Sequence, residues 1–287
     1  MKDKTLQQYT QNIEEYLSRC FCEEVPHARL YESMRYSLLA GGKRLRPVLT
    51  QAFCELCGGD PKTALPFGAA VEMIHTYSLI HDDLPGMDND DFRRGKPTNH
   101  KVYGDALAIL AGDGLLTHAF RRLTMAQLPA DRVIKAVAVL SACAGEDGMV
   151  GGQVLDMAAE ERECTPQEVY EIQSRKTGAL ISAACQLGVI AAGGSEEQLN
   201  AAIAYADSLG LAFQIRDDIL DVIGDAALLG KATGVDGNKN TFVRIHGISQ
   251  CEEMVASETE KAISALNIFS DPTFLADLAR SLVARDH

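Results

Sequence analysis

Two aspartate-rich motifs constrain this chain more than any other feature. The first reads HDDLPGMD and the second reads DDILD, and each adjoins an apolar helical stretch. In the second motif, Asp217 and Asp221 are four residues apart and share one helix face. In the first, Asp82 and Asp88 are six residues apart, and the Pro-Gly pair between them predicts a bulge or helix end that returns Asp88 to the face of Asp82.

Carboxylates at this density repel one another unless a cation lies among them. Mg²⁺ takes oxygen ligands and prefers carboxylates shared with substrate phosphates. Either motif alone could be a solvated helix end. Two motifs of matching design predict instead two sets of carboxylates that face each other across a cavity and bind divalent metal.

Basic residues beside glycines supply the complementary charge. They form three groups, around residues 43–46, 93–96 and 231–239. Glycine lets the backbone approach an anion, and the cations neutralise it. His75 lies two helical turns before Asp82 on the same face, which favours a role in ligand contact. Apolar segments lie between these groups, so the pattern predicts an apolar substrate with a diphosphate head. Metal-bound diphosphate is a good leaving group, because the ions neutralise the charge that develops as its bond breaks.

The composition predicts packed helices in one domain over residues 1–287. Hydrophobic residues make up 46% of the 287 residues, aromatic residues 6%, and tryptophan is absent. No alternating strand pattern persists, which excludes a Rossmann unit or P-loop. The net charge of −13 argues against nucleic acid as a partner.

The cysteine pattern and the N-terminus predict a cytoplasmic protein with no membrane span. The chain has eight cysteines and opens on a polar, amphipathic segment, so reduced thiols are expected. The pair Cys54 and Cys57 has CxxC spacing but lies in an apolar helical run, where buried thiols are the favoured interpretation.

Five segments, in order along the chain, resemble the short-chain trans-prenyl diphosphate synthases, and within them the bacterial-type farnesyl diphosphate synthases. They are GGKRLRP, HDDLPGMDNDDFRRGKPT, KTG, FQIRDDILDVIGD and LGKATG. The resemblance covers nearly the whole chain. It implies an all-α, single-domain terpenoid-synthase (isoprenoid synthase) helical bundle around a central cavity, a homodimer, and about three Mg²⁺ ions per active site.

The resemblance also implies a reaction between isopentenyl diphosphate and an allylic diphosphate, dimethylallyl and then geranyl. The allylic substrate ionises, the double bond of isopentenyl diphosphate attacks it, and a proton leaves to the released diphosphate. The positions that match the isopentenyl diphosphate site are Lys43, Arg46, His75 and Arg94. Those that match the allylic site are Arg93, Lys176, Thr177, Gln214 and Lys231. The principal metal ligands match Asp82, Asp88 and Asp217. Asp83, Asp218 and Asp221 complete the motifs as secondary metal ligands or as groups that support the ligands, with Asp83 and Asp221 counted among the metal-binding residues. The catalytic set is therefore Asp82, Asp83, Asp88, Asp217, Asp218 and Lys176.

Two positions bear on what distinguishes this chain within the family. In the family, a bulky residue five places before the first aspartate blocks the growing chain; here it is Tyr77, followed by the small Ser78. Tyr77 favours a C15 product, and a C20 synthase remains the alternative. Lys239 is a further candidate for binding substrate, but its segment, GVDGNKNTF, is shorter than the family pattern.

Two further alternatives stay open at this point. A class I terpene cyclase would share the metals but would not need the 41–46 cluster with His75 and Arg94. A non-catalytic partner subunit could lose an Asp motif, whereas this chain keeps both.

Overall fold

The protein is described by a computed structural model that covers residues 2–160, 162–229 and 240–284. The fold is all-α, as the sequence predicts. Within the described ranges, the β-structure is one antiparallel hairpin of two-residue strands. Lys231 and Lys239, both predicted to bind substrate, lie outside the described residues.

The chain divides into two compact units. Unit 1 contains Met1–Ala138 with Leu187–Gly193, and unit 2 contains Val139–Gln186 with Gly194–His287. Helices α7 and α10 contribute residues to both. The single domain over residues 1–287 stays a prediction.

Unit 1 contains the helices of the N-terminal half and the hairpin. Its elements are α1 Lys2–Ser18, α2 Ala28–Leu38, α3 Leu45–Leu56, a 3₁₀ turn Pro61–Ala64, α4 Leu65–Asp82, β1 Phe92–Arg93, β2 Lys96–Pro97, α5 Asn99–Tyr103, α6 Asp105–Thr124 and the first part of α7 Ala130–Ala144.

Helix α4 forms the centre of unit 1. It is apolar on nearly every face, and such helices are buried rather than amphipathic. Pro66 lies in its first turn, where the missing N–H costs nothing. Gly68 lets it pack closely on Pro47 of α3, because an added Cβ would lie 3.2 Å from the proline Cβ. The chain enters α4 through the 3₁₀ turn Pro61–Ala64.

Unit 2 contains the remaining helices. Its elements are α8 Met149–Ala159, α9 Pro166–Gln173, a π-helical turn Ser174–Gly178, α10 Ala179–Ala192 up to residue 186, α11 Glu196–Leu229, α12 Phe242–His246, α13 Ile248–Ala265, a 3₁₀ turn Leu266–Ile268 and α14 Thr273–Val283.

Local sequence signals account for several boundaries in unit 2. Thr165 and Glu168 form a capping box at the start of α9. Where Gly178 predicts a kink, the structure has a π-helical turn that widens the helix instead. The short α12 has no counterpart in the sequence prediction. Its Phe242 packs in an apolar core with Ile215 and Val255.

The cysteines and the helices agree with the sequence predictions of free thiols and of no membrane span. All eight cysteines are free. Burial raises the pKa of Cys54 and of Cys57 to about 11, so both thiols stay protonated at neutral pH. No helix in the described ranges is long and apolar enough to cross a membrane.

Candidate active site

The first Asp motif lies where α4 ends. The helix stops at Asp82, and the chain turns so that the Asp88 N–H donates to the Asp82 carbonyl oxygen at 2.9 Å. This hydrogen bond returns Asp88 to Asp82 and confirms the helix end predicted from Pro85-Gly86. Asp82 is half-buried and Asp88 is exposed.

Asp83 has a different environment from its neighbours in the motif. Its side chain is buried, and one carboxylate oxygen accepts from two nitrogens of Arg93, at 2.7 Å and 2.6 Å. Burial raises the pKa of Asp83, and the Arg93 guanidinium offsets only part of that rise. Asp83 therefore fixes Arg93, a predicted diphosphate ligand, against the end of α4.

The hairpin between β1 and β2 orients the next cation. Its two turn residues, Arg94 and Gly95, both have positive φ, as a type I′ turn requires. The Arg94 guanidinium donates to the Gly41 carbonyl oxygen. A Cβ on Gly42 would lie 2.9 Å from the Arg94 guanidinium carbon, so the glycine allows this close approach. The hairpin and the GGKRLRP loop are thus joined through Arg94.

A concentration of positive charge lies around His75. The Arg46 Nε is buried, with no hydrogen-bond partner in the part of the chain that the structure describes. Burial lowers the pKa of His75 well below its usual value, and the charges of Arg46 and Arg94 lower it further. Three predicted ligands of isopentenyl diphosphate therefore lie close enough to repel added positive charge, as expected of an anion site.

A cleft lies beside this region, between α2, α4 and the hairpin. Its lining includes Leu79, Ile80, Asp83, Arg93 and Arg94. The cleft thus combines apolar walls with charged groups from the predicted site.

The second Asp motif repeats the arrangement of the first. Asp217 is half-buried, Asp221 is exposed and Asp218 is buried. One Asp218 oxygen accepts from the Phe242 backbone N–H at 2.8 Å, and the other accepts from the Gln214 amide at 3.3 Å. Burial, more than the neighbouring aspartates, raises the pKa of Asp218 to about 6. In each motif, the second aspartate therefore holds a neighbouring segment in place.

The KTG segment forms the π-helical turn. Lys176 donates to an Asp156 oxygen at 2.6 Å, and the Thr177 hydroxyl donates to the Gln214 amide oxygen at 3.4 Å. Gly152 of α8 lies directly against the Lys176 backbone. Three predicted ligands of the allylic diphosphate, Lys176, Thr177 and Gln214, are thus gathered in unit 2.

The acidic residues suit Mg²⁺ rather than a preassembled protein cage. Among the described residues, no group of three or more His, Cys, Asp or Glu side chains is placed to hold a metal ion. Mg²⁺ usually binds one or two carboxylates together with substrate phosphates and water. Each motif has one half-buried and one exposed aspartate, which fits this mode of Mg²⁺ binding. Whether the two motifs share one site stays a prediction.

Tyr77 and Ser78, predicted to set product length, lie on α4. Tyr77 is 7% exposed, and its ring packs edge-to-face on His81 with the ring centroids 5.7 Å apart. The Ser78 hydroxyl donates to the His75 carbonyl oxygen at 3.0 Å. Tyr77 is the bulky side chain of the pair.

Sequence reasoning missed Glu72 and grouped Arg44 with the anion-binding cations around residues 43–46. Glu72 interrupts the apolar run of α4 and is 3% exposed, and Arg44 is equally buried. A glutamate amid Ala, Val and Met on a buried helix signals a hidden cationic partner, since buried charges are almost always paired.

The all-α fold and these candidate sites are consistent with an enzyme that acts on phosphorylated substrates. The model of the family described as polyprenyl synthetase matches residues 27–271. The chain therefore belongs to the polyprenyl synthetase family and has its all-α isoprenoid synthase fold. It is a trans-prenyl diphosphate synthase, a prenyltransferase.

Three relatives show the range of that family. The chain is 43% identical to the farnesyl diphosphate synthase of Geobacillus stearothermophilus, over 99% of this chain and 98% of the relative. It is 44% identical to the geranylgeranyl diphosphate synthase of Cyanophora paradoxa, over 90% and 88%. The crystal structure of an apo FPP/GFPP synthase from Zymomonas mobilis matches with a TM-score of 0.90 and 38% identity, over 98% of this chain and 99% of that chain.

Proposed function

We propose that the protein condenses isopentenyl diphosphate with dimethylallyl and then geranyl diphosphate to form farnesyl diphosphate, in a Mg²⁺-dependent reaction. The observation that supports the C15 product is Tyr77, a large and almost fully buried side chain five residues before Asp82. A phenol ring there would stop a growing apolar chain that extends along α4.

Isopentenyl diphosphate binds through Lys43, Arg46, His75 and Arg94. The buried, unpartnered Nε of Arg46 and the depressed pKa of His75 support this assignment, because both indicate positive charge that the described protein groups do not fully compensate. The neutral His75 donates one hydrogen bond to the diphosphate, while the guanidinium groups supply the charge.

The allylic diphosphate binds through Arg93, Lys176, Thr177 and Gln214, to which the resemblance adds Lys231. Lys239 is a further candidate for binding substrate. Asp82, Asp88 and Asp217 hold the metal ions, about three by resemblance. When bound, Mg²⁺ neutralises the charge that develops on the diphosphate as its bond to the allylic carbon breaks. Asp83 and Asp218 act by fixing Arg93 and α12, and Asp221 completes the second motif.

A C20 product is the second candidate. The geranylgeranyl diphosphate synthase among the relatives favours it. A single domain, a homodimer and a cytoplasmic location complete the proposal, and all three rest on the sequence and the resemblance.

A product assay tests the proposal. Purified protein is incubated with Mg²⁺, isopentenyl diphosphate and either dimethylallyl or geranyl diphosphate, and the hydrolysed alcohols are sized. Wild type is expected to give a C15 alcohol from both substrates, and Tyr77→Ala is expected to give longer alcohols. A C20 alcohol from wild type would move the end of the pocket deeper than Tyr77. A cyclic hydrocarbon from the allylic substrate alone would establish a terpene cyclase instead.

A further inference from the structure

Arg44 is the least exposed cation of the GGKRLRP loop. Its side chain has no exposed surface, and its backbone has a φ of 48°, in the left-handed region that disfavours residues other than glycine. It precedes α3 directly and follows two glycines that also have positive φ. The loop therefore takes an unfavourable backbone path that other contacts must stabilise.

Those contacts come from the Arg44 guanidinium. Its Nε donates to Glu14 of α1 at 2.7 Å, one terminal nitrogen donates to Glu72 of α4 at 2.7 Å, and the other donates to the Leu38 carbonyl oxygen of α2 at 2.8 Å. A planar guanidinium can make three such directed bonds at once, whereas a lysine ammonium is a point charge on a flexible stem. Arg44 thus joins α1, α2 and α4 to the loop that precedes α3.

Glu72 links this pairing to the anion site. Its carboxylate is 3% exposed and bonds Arg44, and its negative charge also acts on Arg46 and Arg94. One buried carboxylate therefore lies among three guanidinium groups. Two of these groups are predicted to face the diphosphate, and the third holds the loop.

We propose that Arg44 is a positioning residue for isopentenyl diphosphate. Its bonds to Glu14, Glu72 and Leu38 set the backbone path of the loop. This path orients Lys43 and Arg46, and it places the Gly41 carbonyl oxygen to accept the hydrogen bond from Arg94. Arg44 itself does not contact the substrate. The inference rests on the proposed function, since it concerns the isopentenyl diphosphate site of that reaction.

Steady-state kinetics of Arg44→Lys test the proposal, with the KM of each substrate measured separately under Mg²⁺. The KM for isopentenyl diphosphate is expected to rise about 10-fold to 100-fold, because small displacements of binding groups have effects of that size. The KM for geranyl diphosphate is expected to stay within about twofold. Arg19→Lys is the matched control, since Arg19 forms an exposed ion pair with Glu15 on α1 and should leave both constants unchanged.

Glu14→Gln provides a milder second variant if Arg44→Lys does not fold. Glu14 is 39% exposed in its side chain, and the substitution weakens one of the three Arg44 bonds. The KM for isopentenyl diphosphate alone should rise about 3-fold to 10-fold.

The outcomes separate the inference from the proposed function. An equal rise of both KM values, or a lower melting temperature with both KM values unchanged, would overturn the positioning role. A wild-type protein that forms no condensation product would instead reject the proposed function.

Discussion

The substitution Gly152→Ala tests how closely α8 supports the KTG turn. An added Cβ would lie 2.3 Å from the Lys176 backbone nitrogen, 2.7 Å from the Lys176 Cα and 2.8 Å from the Arg175 carbonyl carbon. All three are backbone atoms of the π-helical turn, so no side chain can rotate away to make room. Restoring ordinary van der Waals contact requires the turn and α8 to separate by about 1 Å.

The cost can be set against the usual benefit of alanine. In an open helix, replacing glycine by alanine stabilises by about 1 kcal/mol. Overpacking in a closely packed contact costs about 1–3 kcal/mol, so the net effect here is destabilising. The same displacement moves the Lys176 ammonium, which now bonds Asp156 at 2.6 Å. Losing one charged hydrogen bond to the allylic diphosphate costs about 1.5–3 kcal/mol, which is about 10-fold to 100-fold in KM.

The assay compares Gly152→Ala with Gly178→Ala in the same turn. Among the described residues, a Cβ on Gly178 would come within 4 Å of the Gln173 carbonyl oxygen alone, at 3.7 Å, which is ordinary contact. We expect Gly152→Ala to lower the melting temperature and raise the KM for geranyl diphosphate, and Gly178→Ala to do neither. If Gly152→Ala kept both quantities at their wild-type values, the close contact, and the support of Lys176 that depends on it, would be wrong.

Three further predictions follow from charge and metal binding. His118 accepts a hydrogen bond from Arg122 at 2.9 Å, and burial, with that cation, lowers the pKa of His118 to about 4. As the pH falls, the unfolded chain protonates His118 near pH 6.5, whereas the folded chain does so only near pH 4. The contribution of neutral His118 to the free energy of unfolding is therefore complete above pH 6.5 and is lost as the pH falls to about 4. In urea unfolding over that pH range, the free energy of unfolding of wild type should fall by about 1–2 kcal/mol more than that of His118→Gln, a figure that allows for solvent screening of the half-buried ring. Parallel pH profiles of the two proteins would refute this prediction. Asp82→Ala and Asp217→Ala should each abolish turnover while circular dichroism shows an intact fold, and near-normal rates in either variant would remove it from the metal ligands. Chelation by EDTA should stop product formation and added Mg²⁺ should restore it, whereas activity that survives chelation would contradict metal dependence.

Periodicity and local signals predict most of the fold. The apolar stretch of α10, the capping box at Thr165 and the helix end before Asp88 all follow from residues within one or two turns of each other. The short α12 could not be predicted in this way. It is held by Asp218, 24 residues earlier, and by burial of Phe242 in the core.

The sequence likewise predicts one part of the candidate site and leaves another part to the tertiary structure. Its acidic and basic residues are visible in the motifs, because chemistry requires those residue types at those spacings. The different roles within a motif are not visible. Asp82 and Asp83 are adjacent residues of the same type, and only burial of Asp83 against Arg93 shows that Asp83 fixes that arginine.

By itself, the sequence determined the all-α class, the family and the residue types that are predicted to bind metal and diphosphate. The all-α class depends on composition and helical spacing, whereas the family and its binding residues follow from the resemblance of the motifs. Only the tertiary structure decided that Arg44 pairs with Glu14 and Glu72, and that the second aspartate of each motif is engaged within the protein. The physical reason is that burial and charge pairing depend on segments distant in sequence. A residue's identity therefore sets what it can bond, while the packing of those segments decides what it does bond.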